Sequence, residues 1–249
     1  MKKVSLITGA YGGIGEGLVR AFLNADYEVV ATGRREEELV KLQEKLKSEL
    51  DKDITIITVD GGKEEDVMSC IEEVKAKFGR LDCVVNNAQA SKSGVMLVDH
   101  TKEDFDLAIN SGLYATFFFM KYAYPLLKES KGLVVNFASG AGLFGKISQS
   151  SYAAAKEGIR GLSRVAATEW GVDGIRVNVI CPLVMTPKLE AWREEYPEAY
   201  QKTIKDIPMG RMADPEKDIG ALCVFLASDA ASYITGETFT IQGGSGLRP

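Results

Sequence analysis

The chain has a single histidine, His100, and four cysteines, Cys70, Cys83, Cys181 and Cys223, none spaced as a CxxC pair. A histidine-based triad and a His/Cys metal cluster therefore have no raw material, and no metal site is expected. Three of the cysteines sit in apolar runs, which reads as buried thiols in a reducing, cytoplasmic compartment rather than a disulfide framework. No stretch approaches the roughly 20 apolar residues of a membrane span; Phe117-Phe-Phe-Met120 is intense but short. The apolar segment before the first glycines is too short for a signal peptide. Positive charge is not in surplus either. The 30 Lys and Arg stand against 35 Asp and Glu, a net charge of −5, so neither a nucleic-acid backbone nor an anionic membrane is expected as partner. Linkers, repeats and low-complexity tracts are lacking too, and 249 residues suffice for one α/β domain, 1–249, with a sizeable core.

What is present centres on Ser139 to Lys156. Gly132-Leu-Val-Val-Asn-Phe-Ala-Ser139 is rich in β-branched and aromatic residues and predicts a buried strand whose last residue is Ser139. From Ser150 the pattern predicts a serine-capped helix. Tyr152 and Lys156 then share one helical face as i, i+4 neighbours, with Cβ atoms about 5–6 Å apart. A phenol, with its usual pKa of about 10, is a poor base near neutrality. An ammonium about 4 Å away stabilises phenolate by at most about 4 kcal/mol, or about three pKa units, which makes Tyr152 a usable general acid or base. The Ser139 hydroxyl at the adjacent strand end can bond the same substrate oxygen and stabilise charge building there. Taken alone, Tyr-x-x-x-Lys reads as an ordinary helix pair and Ser139 as a turn residue; the rest of the chain gives them weight.

Val4–Thr8 reads as a strand, and Gly9-Ala-Tyr-Gly-Gly-Ile-Gly15 leads from it into a helix. A glycine turn at that place lets a pyrophosphate approach free N–H groups at the helix start. The second strand, Tyr27–Thr32, ends in Gly33-Arg34-Arg35, where a dinucleotide fold places its ribose contact. A carboxylate there would favour NAD. Two arginines can instead grip a ribose 2′-phosphate, so NADP(H) is favoured and NAD(H) remains open; the plainer reading is that they begin a charged helix, Arg35–Leu50. A strand Ile54–Val59 with Asp60 at its end, a helix 64–78 and the strand Cys83–Asn86 follow. Thr101–Lys128 reads as one long helix containing Asn110, with Phe117, Phe118, Phe119, Tyr122 and Tyr124 divided between core and subunit interface. After the strand Ile175–Cys181, the segment 187–211 reads either as a helical lid presenting apolar and aromatic residues to a substrate or as an amphipathic helix on the sheet. Its place after a strand's carboxyl end favours the lid. A helix 215–227 and the strand Thr238–Ile241 complete the chain. Recurring βαβ units predict a Rossmann-type, doubly wound parallel sheet of about seven strands with helices on both faces. Gly9, Arg34, Asp60, Asn86 and Ser139 then all fall at the carboxyl edge, where such sheets bind ligands.

The assembled motifs resemble the short-chain dehydrogenase/reductase family over essentially the whole chain. Thr8-Gly-x-x-x-Gly13-Ile-Gly15 resembles its cofactor motif, Asn86-Asn-Ala88 most of its Asn-Asn-Ala-Gly motif, and Asn110, Ser139, Tyr152 and Lys156 its catalytic tetrad. The resemblance implies an oxidoreductase interconverting a secondary alcohol and a ketone. It implies that Tyr152 exchanges the proton, Ser139 orients the oxygen, Lys156 holds the nicotinamide ribose and lowers the tyrosine pKa, and Asn110 supports a relay water. It also implies cofactor contacts from Gly9, Tyr11, Gly13, Ile14, Gly15, Arg34, Arg35, Asp60 (to adenine), Gly61, Asn86, Ala88, Tyr152, Lys156, Pro182, Val184 and Thr186, and a homotetramer. Two departures stand out. Gln89 replaces the usual glycine, and Pro182-Leu-Val-Met-Thr186 lacks the glycine after proline and is one residue shorter than the family pattern. Within this class a 3-oxoacyl-carrier-protein reductase and a hydroxysteroid or other bulky-alcohol dehydrogenase are the alternatives, the aromatic content of 187–211 leaning towards an apolar substrate. Outside it stands a nucleotide-binding regulatory module without turnover.

Overall fold

The computed structural model describes residues 2–246, the side chain of Lys188 excepted. Seven strands form one parallel sheet: β1 (Val4–Thr8), β2 (Glu28–Gly33), β3 (Thr55–Thr58), β4 (Cys83–Asn86), β5 (Leu133–Phe137), β6 (Arg176–Pro182) and β7 (Thr238–Ile241), in the order β3-β2-β1-β4-β5-β6-β7. Residues of β1, β4 and β5 are buried throughout, as near-continuous apolar strands must be when helices cover both faces. One core layer gathers Leu18 and Phe22 of α1 (Gly15–Asn24), Leu39 of α2 (Glu36–Leu50) and Cys223 of α10 (Ala221–Leu226). The other gathers Val67 and Ile71 of α3 (Glu64–Phe78) with Phe119 and Leu127 of α5 (Ala115–Ser130). The strand order reverses between β1 and β4, and the sheet opens a crevice there at its carboxyl edge.

Several expected boundaries move. The strand through 132–139 stops at Phe137. Ser139 is instead the extended N-cap of a short helix, α6 (Gly140–Phe144), accepting from the Ala141 N–H at 3.1 Å. The helix α7 (Ser150–Trp170) has Gln149 at its N-cap with no side-chain cap. The serines turn to His100 instead: Ser151 Oγ lies 2.8 Å from Nε2 and Ser150 Oγ 3.4 Å from Nδ1. The single long helix expected over 101–128 is three pieces: α4 (Lys102–Ala108), a π-helical turn Ile109–Tyr114, and α5. Asn110 lies inside the π-turn, where local helix propensity carries no signal for the extra residue per turn. The segment 187–211 contains two helices, α8 (Pro187–Glu195) and α9 (Pro197–Lys205), divided at Pro197, which starts a helix well and continues one badly. The helix expected over 215–227 begins as a π-turn, Pro215–Gly220, before α10.

Candidate active site

The carboxyl ends of β1 and β4 are locked together by side chains. Thr8 Oγ1 accepts from the N–H groups of Asn87 and Ala88, both at 3.0 Å, and Asn87 Nδ2 donates to the carbonyls of Thr8 (3.0 Å) and Gly9 (3.2 Å). The backbone is left-handed at Gly9 (φ +65°), and a Cβ there would stand 3.0 Å from Ala88 Cα. At Gly15 a Cβ would stand 2.1 Å from the Gly9 carbonyl oxygen, so the turn closes only on glycine.

A cleft of about 790 Å³ opens over this turn. Its lining takes Gly9, Tyr11, Gly13 and Ile14 from the turn, Arg34 and Arg35 from the end of β2, Asp60 and Gly61 from the end of β3, Ala88 beyond β4 and Thr186 beyond β6. Asp60 Oδ1 accepts from the Gly62 N–H at 3.2 Å. Six expected contacts lie off the lining, Tyr152 and Lys156 among them. Gly15 sits beneath the turn. Asn86 is buried in the sheet, donating to Asn136 Oδ1 at 2.8 Å, because successive strand residues face opposite sides. Its neighbour Asn87 lines the cleft instead; since the alternation of β4 can present only one of the doublet, the strand period was the signal that separates them. Pro182 ends β6, and Val184 is buried and bridged to Ala213. Gln89 and Ser111, not singled out as contacts, also line the cleft.

The residues present fit a phosphorylated dinucleotide. A glycine turn with open backbone at Gly12, where a Cβ would meet nothing within 4 Å, leads into the N-terminus of α1. Arg34 and Arg35 are exposed, and neither forms an ion pair among the described residues. The Arg35 guanidinium lies 4.9 Å from the Tyr11 ring centroid, with Nε 3.5 Å from the phenolic oxygen. The Tyr11 ring in turn rests on Gly33, where a Cβ would come within 2.2 Å of it.

Ser139, Tyr152 and Lys156 form a second cluster, outside the cleft's lining, on the β5 end and the first turns of α7. The Ser139 hydroxyl hydrogen-bonds Tyr152, and Lys156 Nζ is 5.6 Å from the tyrosine ring centroid. Lys156 is only 3% exposed, and its Nζ donates to the Phe137 carbonyl at 2.7 Å. Burial pulls its pKa down from 10.5 to about 7. Burial also pushes the Tyr152 phenol up, against a smaller opposing effect of the Ser139 hydrogen bond. The expected lowering of the tyrosine pKa by Lys156 is thus absent from this arrangement: the ammonium is spent on a carbonyl, and desolvation of both groups prevails. Asn110, exposed in the π-turn, has no side-chain hydrogen bond among the described residues.

An apolar rim borders the cluster. Phe144 and Ile147, between Ser139 and Tyr152, are exposed, and so are Met96, Leu97 and Val98. The two loops are joined where the Gly94 N–H donates to the Ser148 carbonyl at 3.0 Å and Ser148 Oγ meets Met96 Sδ at 3.3 Å. Tyr196 and Met209, in 187–211, are exposed as well.

A family model described as enoyl-(acyl carrier protein) reductase matches residues 9–246. The chain is 52% identical over 255 residues to a 12α-hydroxysteroid dehydrogenase from a Clostridium species, covering 99% of this chain and 98% of that one. It is 34% identical over 247 residues to a 3-oxoacyl-(acyl-carrier-protein) reductase from Thermotoga maritima, covering 97% of each. Among solved structures, ElxO with NADP bound superposes with a TM-score of 0.92 at 33% identity, covering 98% of this chain and 99% of the other.

Proposed function

Since the chain belongs to the short-chain dehydrogenase/reductase family and is an NAD(P)(H)-dependent oxidoreductase of the secondary-alcohol/ketone type, we propose that it is an NADP(H)-preferring dehydrogenase of a bulky, apolar alcohol, with Tyr152 as its general acid/base. The observation that carries this reading is the hydrogen-bonded Ser139–Tyr152 pair with the buried Lys156, together with a cleft whose two arginines form no ion pair among the described residues.

The nicotinamide, when bound, supplies or accepts the hydride at the carbinol carbon. Backbone N–H groups of the Gly9–Gly15 turn and the α1 N-terminus hold the pyrophosphate. Arg34 and Arg35 take the ribose 2′-phosphate, a bidentate contact that a 2′-hydroxyl cannot make. Asp60, already fixed by the Gly62 N–H, is the adenine contact. Ser139 binds the substrate oxygen and stabilises charge on it, and Tyr152 gives that oxygen a proton on reduction or removes one on oxidation. Lys156, anchored on the Phe137 carbonyl, would hold the nicotinamide ribose, and Asn110 would support a relay water. Thr186, which lines the cleft, would contact the nicotinamide, with Pro182 and Val184 holding its loop.

The substrate class rests on the exposed apolar rim, Met96 to Val98 with Phe144 and Ile147, and on the relative at 52% identity, a 12α-hydroxysteroid dehydrogenase. A sterol-like alcohol fits a rim of that character. The 3-oxoacyl-carrier-protein reductase reading has a relative at 34% identity, but Arg193 and Lys202 are interspersed with Glu190, Glu194, Glu195 and Glu198, a poor landing surface for an acidic carrier protein. Four buried thiols outside any disulfide support a reducing, cytoplasmic setting.

The test is titration with NADPH and NADH, followed by a panel of hydroxysteroids, short alcohols and 3-oxoacyl thioesters. Tight NADPH binding that weakens at least tenfold on Arg34→Ala/Arg35→Ala, with turnover confined to the hydroxysteroids, is expected. NADH preference would reject the cofactor assignment. Binding without turnover on any alcohol or ketone would favour the regulatory module.

A further inference from the structure

Gln89 departs from the family's glycine, and its side chain has a defined seat. Nε2 donates to the carbonyls of Ala90 and Ala108, each at 3.0 Å. The amide lies so close over Gly112 that a Cβ on that residue would stand 1.9 Å from Gln89 Oε1 and 2.7 Å from Nε2. Ala108 ends α4 and Gly112 lies within the π-turn. In a regular α-helix the Ala108 carbonyl would accept from the residue 112 N–H, a pairing that the i, i+5 pattern of a π-turn gives up; a side chain from the β4 end donates to that carbonyl as well. Ser111 adds a second stitch, its Oγ accepting from the Ala90 N–H at 3.0 Å and donating to the Leu107 carbonyl at 2.6 Å.

The π-turn reaches both halves of the site. The Asn110 carbonyl lies against Gly62 beside Asp60, where a Cβ would be 3.3 Å away. Leu113 rests on Gly158 of α7, where a Cβ would be 2.8 Å from Leu113 Cδ2. A rarely populated π-turn persists only where its surroundings over-determine it.

We propose that Gln89 is a positioning residue for the reaction: its amide clamps the π-turn that carries Asn110 between the cofactor cleft and the Tyr152 helix, with Gly112 as its size-matched partner. The inference rests on the roles proposed above for Asn110 and Tyr152. It makes the two positions interdependent, since a long amide at 89 requires the absence of a side chain at 112.

The experiment compares Gln89→Met, which keeps the bulk and loses the donor, with Gln89→Gly, Gly112→Ala and the double variant Gln89→Gly/Gly112→Ala. Melting temperature, NADPH affinity, and kcat and KM across pH are measured for each. For Gln89→Met, kcat should fall by about tenfold or more, with a changed pH profile, while NADPH affinity stays within about twofold. Gly112→Ala should lose about a hundredfold in kcat, and the double variant should regain at least about tenfold of that loss. A Gln89→Met enzyme with wild-type kcat and pH profile would overturn the clamp, as would strictly additive effects at 89 and 112. A lowered melting temperature with unchanged kcat per folded molecule would also overturn it. Tyr152→Phe measured in parallel separates the premises: full turnover there rejects the proposed chemistry, whereas the coupling of 89 with 112 is read independently in the melting temperatures.

Discussion

A lysine buried to 3% exposure with a backbone carbonyl as its partner is poorly placed to carry a charge. Lys156 titrates at about 7 in the folded chain against 10.5 when unfolded. The unfolded state therefore binds more protons between those values, and stability rises with pH through the window from about 7 to 10.5. Below it the full penalty applies, at most about 5 kcal/mol. Urea unfolding of the cofactor-free protein should accordingly find Lys156→Met more stable than wild type at pH 6, with the advantage shrinking towards pH 10; an advantage independent of pH would contradict the burial argument. The same residue makes a calorimetric prediction. A phosphate-bearing cofactor favours the ammonium, so its binding near pH 8 should take up protons, seen as a binding enthalpy that varies with the buffer's ionisation enthalpy and not seen in Lys156→Met. The i, i+4 spacing of Tyr152 and Lys156 was legible in the residues themselves. That the ammonium would turn to Phe137 was not, because the position of that carbonyl is set by how β5 meets α7.

At the scale of elements, glycines decide where the chain can turn. Gly15→Ala would drive a Cβ to 2.1 Å from the Gly9 carbonyl. It should destabilise by about 3 kcal/mol or more and abolish cofactor binding, as followed by thermal unfolding and NADPH fluorescence; tolerance would mean that the turn relaxes freely. Strands β1 and β4 and helix α3 fall on the boundaries read from hydrophobic pattern, because their burial is dictated by local apolar residues, and so does β7, an alternating strand that is only half-buried. The breaks are where tertiary contacts override that pattern. The hydrophobic pattern of 101–128 carries no sign of a π-turn at Asn110, since Ser111 and Gly112 support it only together with Ala90 and the amide of Gln89. Likewise Ser139 looks like a strand end until the Ala141 N–H claims its hydroxyl, and the capping serines of α7 are diverted by His100 from across the fold. The candidate chemistry was thus readable residue by residue, whereas the supports that orient it come from elements distant in the chain.

At the scale of the molecule, Phe105, Leu107, Tyr114 and Phe117 on α4, the π-turn and α5, and Val165 on α7, are exposed apolar side chains that a lone subunit would leave wet. Sedimentation velocity should find a homotetramer, and Phe117→Glu should shift it to smaller species that keep the far-ultraviolet circular dichroism of the native fold; a wild-type monomer at micromolar concentration would refute this. The four cysteines carry a consequence of another kind. Cys83 and Cys223 lie in one core layer, Cys70 in the other, and Cys181 in a small cluster with Ala138 and Val179, one residue from Ser139. All four are buried and burial pushes the Cys70 thiol up to about 12, so a neutral alkylating reagent meets no thiolate until its region opens. The native protein therefore contains a set of silent chemical timers, two in one layer, one in the other and one in the small cluster. Peptide-resolved alkylation rates would report how each half of the sheet opens, and which half stills first when a ligand settles at the carboxyl edge.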